Sequence, residues 1–230
     1  MSWAPPLGPA NLGIQVVVPD APSPTLVRAG ERASEFVLPA VEGAGHVALR
    51  DYLDRGPVFL GLFRGLYCAF CRRAVAGLGR LSTKLVTLGI QTLGVVATPT
   101  DHARLYFRYH RVPIALGADP AMTTHAAYGL PKASKENWDL STRIDPTGEL
   151  AAPLPVWEAN KALGRLDLFQ PSETDRDDME RQWNQLAGLF LIDRAGIIRW
   201  VFVEAADGPA GIGKYPPEAE IVSLVQTLLP

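Results

Sequence analysis

Hydrophobic positions along the chain change period several times, and each change marks an element. Val58 to Phe63 is an unbroken apolar run, VFLGLF, bounded by Pro57 and by Arg64-Gly65, the form of a parallel strand buried on both faces. The period then becomes helical. Cys71, Val75, Leu78, Leu81, Leu85 and Leu88 recur at spacings of three and four, so Cys68 to about Leu88 predicts a helix with one apolar stripe, with Arg73, Arg80 and Lys84 off that stripe toward water. Ile90 to Ala97 reads as a second apolar strand. Thr100 is placed to cap a helix through Tyr109, Ile114 to Leu116 suits a short strand, and Ala121 to Tyr128 a helix that ends at Gly129.

Upstream, Phe36 to Leu38 and His46 to Leu49 are short strand candidates around a Gly43/Gly45 turn, and Asp51 to Leu53 is long enough for one helical turn only. Residues 131–186 differ in texture, with five prolines and many charges, and carry local helix signals at Val156 to Leu163 and Asp177 to Leu186. They read as an insertion. Strand pattern resumes at Leu189 to Ile192 and Ile197 to Val203 around the turn Asp193-Arg194-Ala195-Gly196. A final helix is expected from Pro217 to Leu229, with Ile221, Val222, Leu224, Val225 and Leu228 as its buried side. Strand, helix, strand, helix, hairpin and closing helix predict an α/β fold of thioredoxin type, a mixed sheet flanked by helices. The domain runs over 31–230, and residues 1–30 form a proline-rich arm whose Ile14, Val16, Val17 and Val18 suit packing along the domain or along a second subunit.

Composition narrows the class. A chain of 230 residues, 47% hydrophobic, has ample material for one sizeable core, and its two cysteines exclude a disulfide-framework miniprotein. With a net charge of −2 and no run of Lys or Arg, neither nucleic acid nor an anionic membrane surface is an expected partner. No apolar window reaches the roughly 18 residues of a membrane span, and the N-terminus lacks a basic region ahead of its prolines. A cytoplasmic protein is expected. There, a cysteine pair points to metal binding or catalysis ahead of a structural bridge.

The pair is Cys68-Ala69-Phe70-Cys71, set just after a buried strand and at the start of a helix. Free N–H groups and the positive end of the helix dipole favour thiolate there, and the spacing lets the second sulfur reach the first within one turn. Cys71 lies on the apolar stripe and is expected to be the buried, resolving sulfur; Cys68 is expected at the accessible tip as the attacker. Arg64 and Arg72 are candidates to supply positive potential, and Tyr67 and Phe70 flank the thiols as candidate substrate contacts, Tyr67 at the rim. A structural zinc site needs four ligands, and His46, His102, His110 and His125 are scattered without ligand spacing. No metal and no cofactor is expected.

Gly30-Glu31-Arg32-Ala33 through Phe36-Val37-Leu38-Pro39, Arg64 through Cys71, Ala118-Asp119-Pro120 through Ala127-Tyr128-Gly129-Leu130 and Phe190 through Arg199 together resemble the peroxiredoxin-like (AhpC/TSA, redoxin) branch of the thioredoxin superfamily. The resemblance implies thiol-dependent redox chemistry at Cys68. Peroxidases of that branch carry a Pro-x3-Thr/Ser-x2-Cys motif and a distant Arg, and here Gly61, Gly65 and Ala187 stand at those places. The expected activity is therefore thiol–disulfide exchange with a thiol or disulfide partner. The alternatives are a divergent peroxiredoxin acting on hydroperoxides, and a non-catalytic or metabolite-specific protein on the same scaffold, in which Trp138, Trp157 and Trp183 of the insertion would line a pocket. A homodimer is compatible with either.

Overall fold

The computed structural model describes residues 25–133 and 141–229. Most of the proline-rich arm, including Ile14 and Val16 to Val18, and Trp138 lie outside the described residues. A short antiparallel ribbon, β1 (Val37–Pro39) with β2 (His46–Ala48), precedes helix α1 (Leu49–Leu53). Then follow β3 (Val58–Phe63), α2 (Ala69–Leu85), β4 (Gln91–Val96), α3 (Thr100–Tyr109), β5 (Ala115–Ala118) and α4 (Thr123–Ala127). A two-residue ribbon, β6 (Arg143–Ile144) with β7 (Leu154–Pro155), leads to α5 (Val156–Leu166) and α6 (Glu173–Gln182). The chain closes with β8 (Gly188–Ile192), β9 (Ile198–Val203) and α7 (Glu218–Leu228).

The main sheet has the order β5-β4-β3-β8-β9. β3 and β4 pair in parallel, as do β4 and β5, while β8 and β9 are antiparallel to their neighbours. This is the mixed sheet the hydrophobic pattern predicts. Strand β3 is central and every one of its residues is buried. Its side chains alternate between two cores: Val58, Leu60 and Leu62 join Leu49, Leu93, Tyr128 and Phe190 on one face, whereas Phe59 and Phe63 join Val75, Leu78, Leu81, Ile221 and Val225 on the other. Burying each of these large side chains contributes about 1.5–3 kcal/mol, so the strand that delivers the cysteines is also the one most firmly fixed.

The boundaries differ from the sequence reading in informative ways. Helix α2 gives way to a tighter turn at Val86–Leu88 and stops at Gly89, whose φ of 74° suits the left-handed C-cap position. The second helix signal of residues 131–186 starts earlier, at Glu173, because Ser172 and Asp175 form a reciprocal capping box, and it ends at Gln182 instead of Leu186. Thr100 is the first residue of α3 and makes no capping bond. Among the described residues no helix is long and apolar enough to cross a membrane.

Candidate active site

The site begins where β3 ends. Arg64 to Tyr67 turn the chain, with the Cys68 N–H donating to the Gly65 carbonyl at 3.1 Å. Cys68 then takes the N-cap position of α2 in extended conformation (φ −82°, ψ 106°). Its sulfur occupies the place a Ser or Asp oxygen would fill, accepting from the Cys71 N–H at 3.1 Å. The two cysteines approach within 2.7 Å and both are free thiols.

Arg64 supplies the cation. Its Nη2 lies 3.4 Å from the Cys68 sulfur, and both terminal nitrogens grip Glu204, Nη1 to Oε2 at 2.5 Å and Nη2 to Oε1 at 3.0 Å. Nη1 also donates to the Gln185 carbonyl at 2.7 Å. Arg64 is 5% exposed and Glu204 fully buried. Backbone N–H groups of Gly213 (2.8 Å) and Ala187 (3.2 Å) complete the shell of the carboxylate.

This environment splits the two thiols. Burial opposes ionisation of Cys68, but the Cys71 hydrogen bond and the Arg64 charge outweigh it and bring Cys68 down to about 6. Burial and the adjacent Cys68 push Cys71 well above the ordinary thiol range. Cys68 is thus the more acidic of the two thiols and Cys71 the less acidic. The expected difference in exposure does not hold: Cys68 and Cys71 are each only 2% exposed.

Helix α5 explains the burial. It lies over the start of α2, and Asn160 accepts the Ala69 N–H at 2.7 Å while donating to the Tyr67 carbonyl at 3.3 Å. From α6, Gln182 accepts the Gly65 N–H at 2.9 Å and donates to Ala97 O at 2.5 Å. Asp178 accepts from Thr98 at 2.5 Å and crowds Gly65, whose hypothetical Cβ would sit 3.0 Å from an Asp178 oxygen. A Thr at that position would collide with α6. At Gly61 a Cβ would meet the Phe63 ring at 2.5 Å and Leu78 at 3.1 Å, so the space of the family proline is taken by core. Ala187 contributes its N–H to Glu204 instead of an arginine side chain.

Other candidates move. Arg72 does not face the sulfur: its guanidinium donates to Leu66 O at 2.6 Å, reaches Asp167 at 3.3 Å and lies 3.7 Å above the Phe169 ring, pinning the end of α5 to α2. Arg73, expected toward water, is half-buried and bridges Asp167 and Glu149. Tyr67, expected at the rim, is 5% exposed with its hydroxyl buried and without a hydrogen-bond partner; the Tyr215 hydroxyl is in the same state. Phe70 is core and packs on Gly213. It also lines a cavity of about 500 Å³ with Phe59, Phe63, Leu78, Tyr215 and Ile221, a space that neither sulfur borders. His125 is buried, and burial drives it down to about 4, so it is neutral beside Arg64. Trp157 packs half-buried on the core and Trp183 is half-buried at the end of α6. Among the described residues no three ligating side chains gather.

The sequence reading missed Glu204, Asn160 and Gln182. Asn160 had a signal: with Val156, Ala159 and Leu163 it occupies one helical stripe, as the lone polar member. Gln182 shares a stripe with Asp175 and Asp178, all buried. Glu204 had only its position directly after β9.

A mixed five-stranded sheet presenting a Cys-x-x-Cys at the start of the helix that follows its central strand defines a thioredoxin-fold dithiol protein. The AhpC/TSA family model matches residues 29–201, and the chain belongs to that family. No curated protein matches the sequence. Solved structures share the fold at low identity. A protein from Chlorobium tepidum assigned as the thiol:disulfide interchange protein DsbE is 17% identical, with TM-score 0.53 over 89% of this chain and 99% of the other. Peroxidoxin BcpB of Mycobacterium tuberculosis is 14% identical, with TM-score 0.55 over 88% and 98%. The reduced 2-Cys peroxiredoxin of Plasmodium vivax is 13% identical, with TM-score 0.56 over 86% and 80%.

Proposed function

We propose that the protein is a dithiol oxidoreductase in which Cys68 attacks a disulfide and Cys71 resolves the product. The observation that carries this reading is the split between two adjacent thiols, one held as thiolate by Arg64 and one kept protonated. The Cys68 thiolate attacks one substrate sulfur, forming a mixed disulfide and expelling the other sulfur as thiolate. That step removes the negative charge beside Arg64. The cation then favours ionisation of Cys71, whose proton passes to the departing thiolate. Cys71 attacks Cys68, forms the internal disulfide and releases the second substrate sulfur as a thiolate, which takes its proton from water. Two electrons have moved from the protein to the substrate, and an external thiol restores the pair.

A second reading rests on the burial of both sulfurs beneath α5. A compact hydroperoxide reaches such a site more readily than a protein disulfide does. Cys68 would attack the distal oxygen, releasing alcohol or water and leaving a sulfenic acid, which Cys71 would convert to the disulfide with loss of water. Arg64 would then stand in for the family arginine.

Cys68→Ser is expected to abolish turnover of any substrate, and Cys71→Ser to trap a mixed disulfide or a sulfenic acid, read by intact mass. Survival of turnover in Cys68→Ser would remove both mechanisms. The trapped adduct distinguishes them.

A further inference from the structure

Arg64 serves two anions at once. The thiolate of Cys68 sits 3.4 Å from Nη2 and the carboxylate of Glu204 takes both terminal nitrogens. This arrangement is stable in charge only if the catalytic cycle is considered as a whole. Closing the Cys68–Cys71 disulfide consumes the thiolate, and without Glu204 an arginine 5% exposed would then be a buried, uncompensated cation. Glu204 is 0% exposed and accepts four hydrogen bonds, two from Arg64 and one each from Ala187 and Gly213.

We infer that Glu204 is a positioning residue for Cys68: its carboxylate fixes Arg64 and shares that cation with the thiolate, and it remains as the counter-ion once the thiolate has been oxidised. The inference rests on the dithiol reading above. It has two consequences of fixed sign. Sharing the cation moderates how strongly Arg64 stabilises the thiolate, which preserves nucleophilicity, since that falls as a thiol becomes more acidic. Compensating the cation in the disulfide state favours the oxidised protein over the reduced one. Other titratable groups facing the dithiol are Tyr67 and Tyr215; Asp178 faces Tyr67, and His125 faces Arg64. The tyrosines are held neutral by burial and His125 is neutral above about pH 4, so Arg64 and Glu204 dominate the field.

The test starts from the wild-type protein, with iodoacetamide alkylation of Cys68 against pH and the dithiol–disulfide equilibrium in glutathione buffers. Glu204→Gln keeps an oxygen acceptor for Arg64 and removes the charge. The alkylation midpoint is expected to fall by about one pH unit, and the equilibrium to shift toward the dithiol by about tenfold. Arg64→Gln is expected to move the midpoint the other way. A merely structural role would disturb both variants in the same direction, and an unchanged or higher midpoint in folded Glu204→Gln would overturn the inference. Should that variant not fold, wild-type protein labelled at glutamate carboxyl carbons gives the answer by NMR. One buried resonance is expected to follow the Cys68 titration and to move between dithiol and disulfide states; if none does, Glu204 is not coupled to the thiol. If wild-type Cys68 and Cys71 do not cycle at all, it is the dithiol reading that fails.

Discussion

At the scale of single residues, the site is an arrangement of charge around one sulfur. Cys68 is held at about 6 although burial alone would raise it, so alkylation of the reduced protein is expected to reach half its maximal rate near pH 6. A midpoint near the ordinary thiol value of about 8.5 would show that Arg64 and Cys71 do not act on the sulfur. The same shift is a statement about stability. A thiol whose folded pKa is depressed contributes stability that is present above its unfolded pKa and is lost as pH falls through the folded value. Cys71 is shifted upward by burial and by Cys68, so its contribution runs the other way, present below about 8.5 and lost as pH rises beyond it. The net stabilisation from the reduced dithiol is expected to grow from pH 6 and to be greatest near 8 to 9. Urea midpoints of wild type, Cys68→Ser and Cys71→Ser across pH 5–10 check both limbs.

At the scale of elements, the strand-to-helix unit was legible in the sequence because its signals are local. The apolar run of β3 and the three-and-four spacing of α2 place Cys68 at a helix start without reference to the rest of the chain. What covers that start was not legible, because Asn160, Gln182 and Glu204 lie 91, 117 and 140 residues from the groups they contact. Their pairing is decided by tertiary packing, and only the polar members on the buried stripes of α5 and α6 hint at it. Asn160 is the clearest hinge of that cover, since one amide satisfies both the Ala69 N–H and the Tyr67 carbonyl. Asn160→Ala leaves those two groups without a partner, at a cost of about 1–3 kcal/mol for a buried group that loses its bond. Local opening of α5 should become more frequent. The rate with bulky 5,5′-dithiobis(2-nitrobenzoate) is expected to rise several-fold relative to that with small iodoacetamide. If the ratio of the two rates is unchanged, α5 does not control access.

At the scale of the whole molecule, the residues between α4 and β8 turn a dithiol that sequence spacing places at an accessible tip into one enclosed on several sides. Asn160 ties α5 to α2 and Arg72 reaches Asp167 at the end of α5, Gln182 and Asp178 bring α6 against Gly65 and Thr98, and Glu204 draws the 205–217 segment in through Gly213. Each tie uses a buried polar group, so partial opening would expose several unsatisfied groups together and is opposed by their combined cost. Enclosure should therefore appear as selectivity by size. With equal thiolate reactivity, a substrate that enters through small fluctuations reacts in the closed form, while a folded protein disulfide must wait for α5 to lift and is slowed by the fraction of time the site is open. Hydrogen peroxide, oxidised glutathione and insulin are therefore expected to oxidise the reduced protein in that order of rate. Asn160→Ala should raise the insulin rate most and leave the peroxide rate nearly unchanged. Insulin reacting as fast as glutathione in the wild type would mean that the cover is open in solution and that protein disulfides are admitted directly.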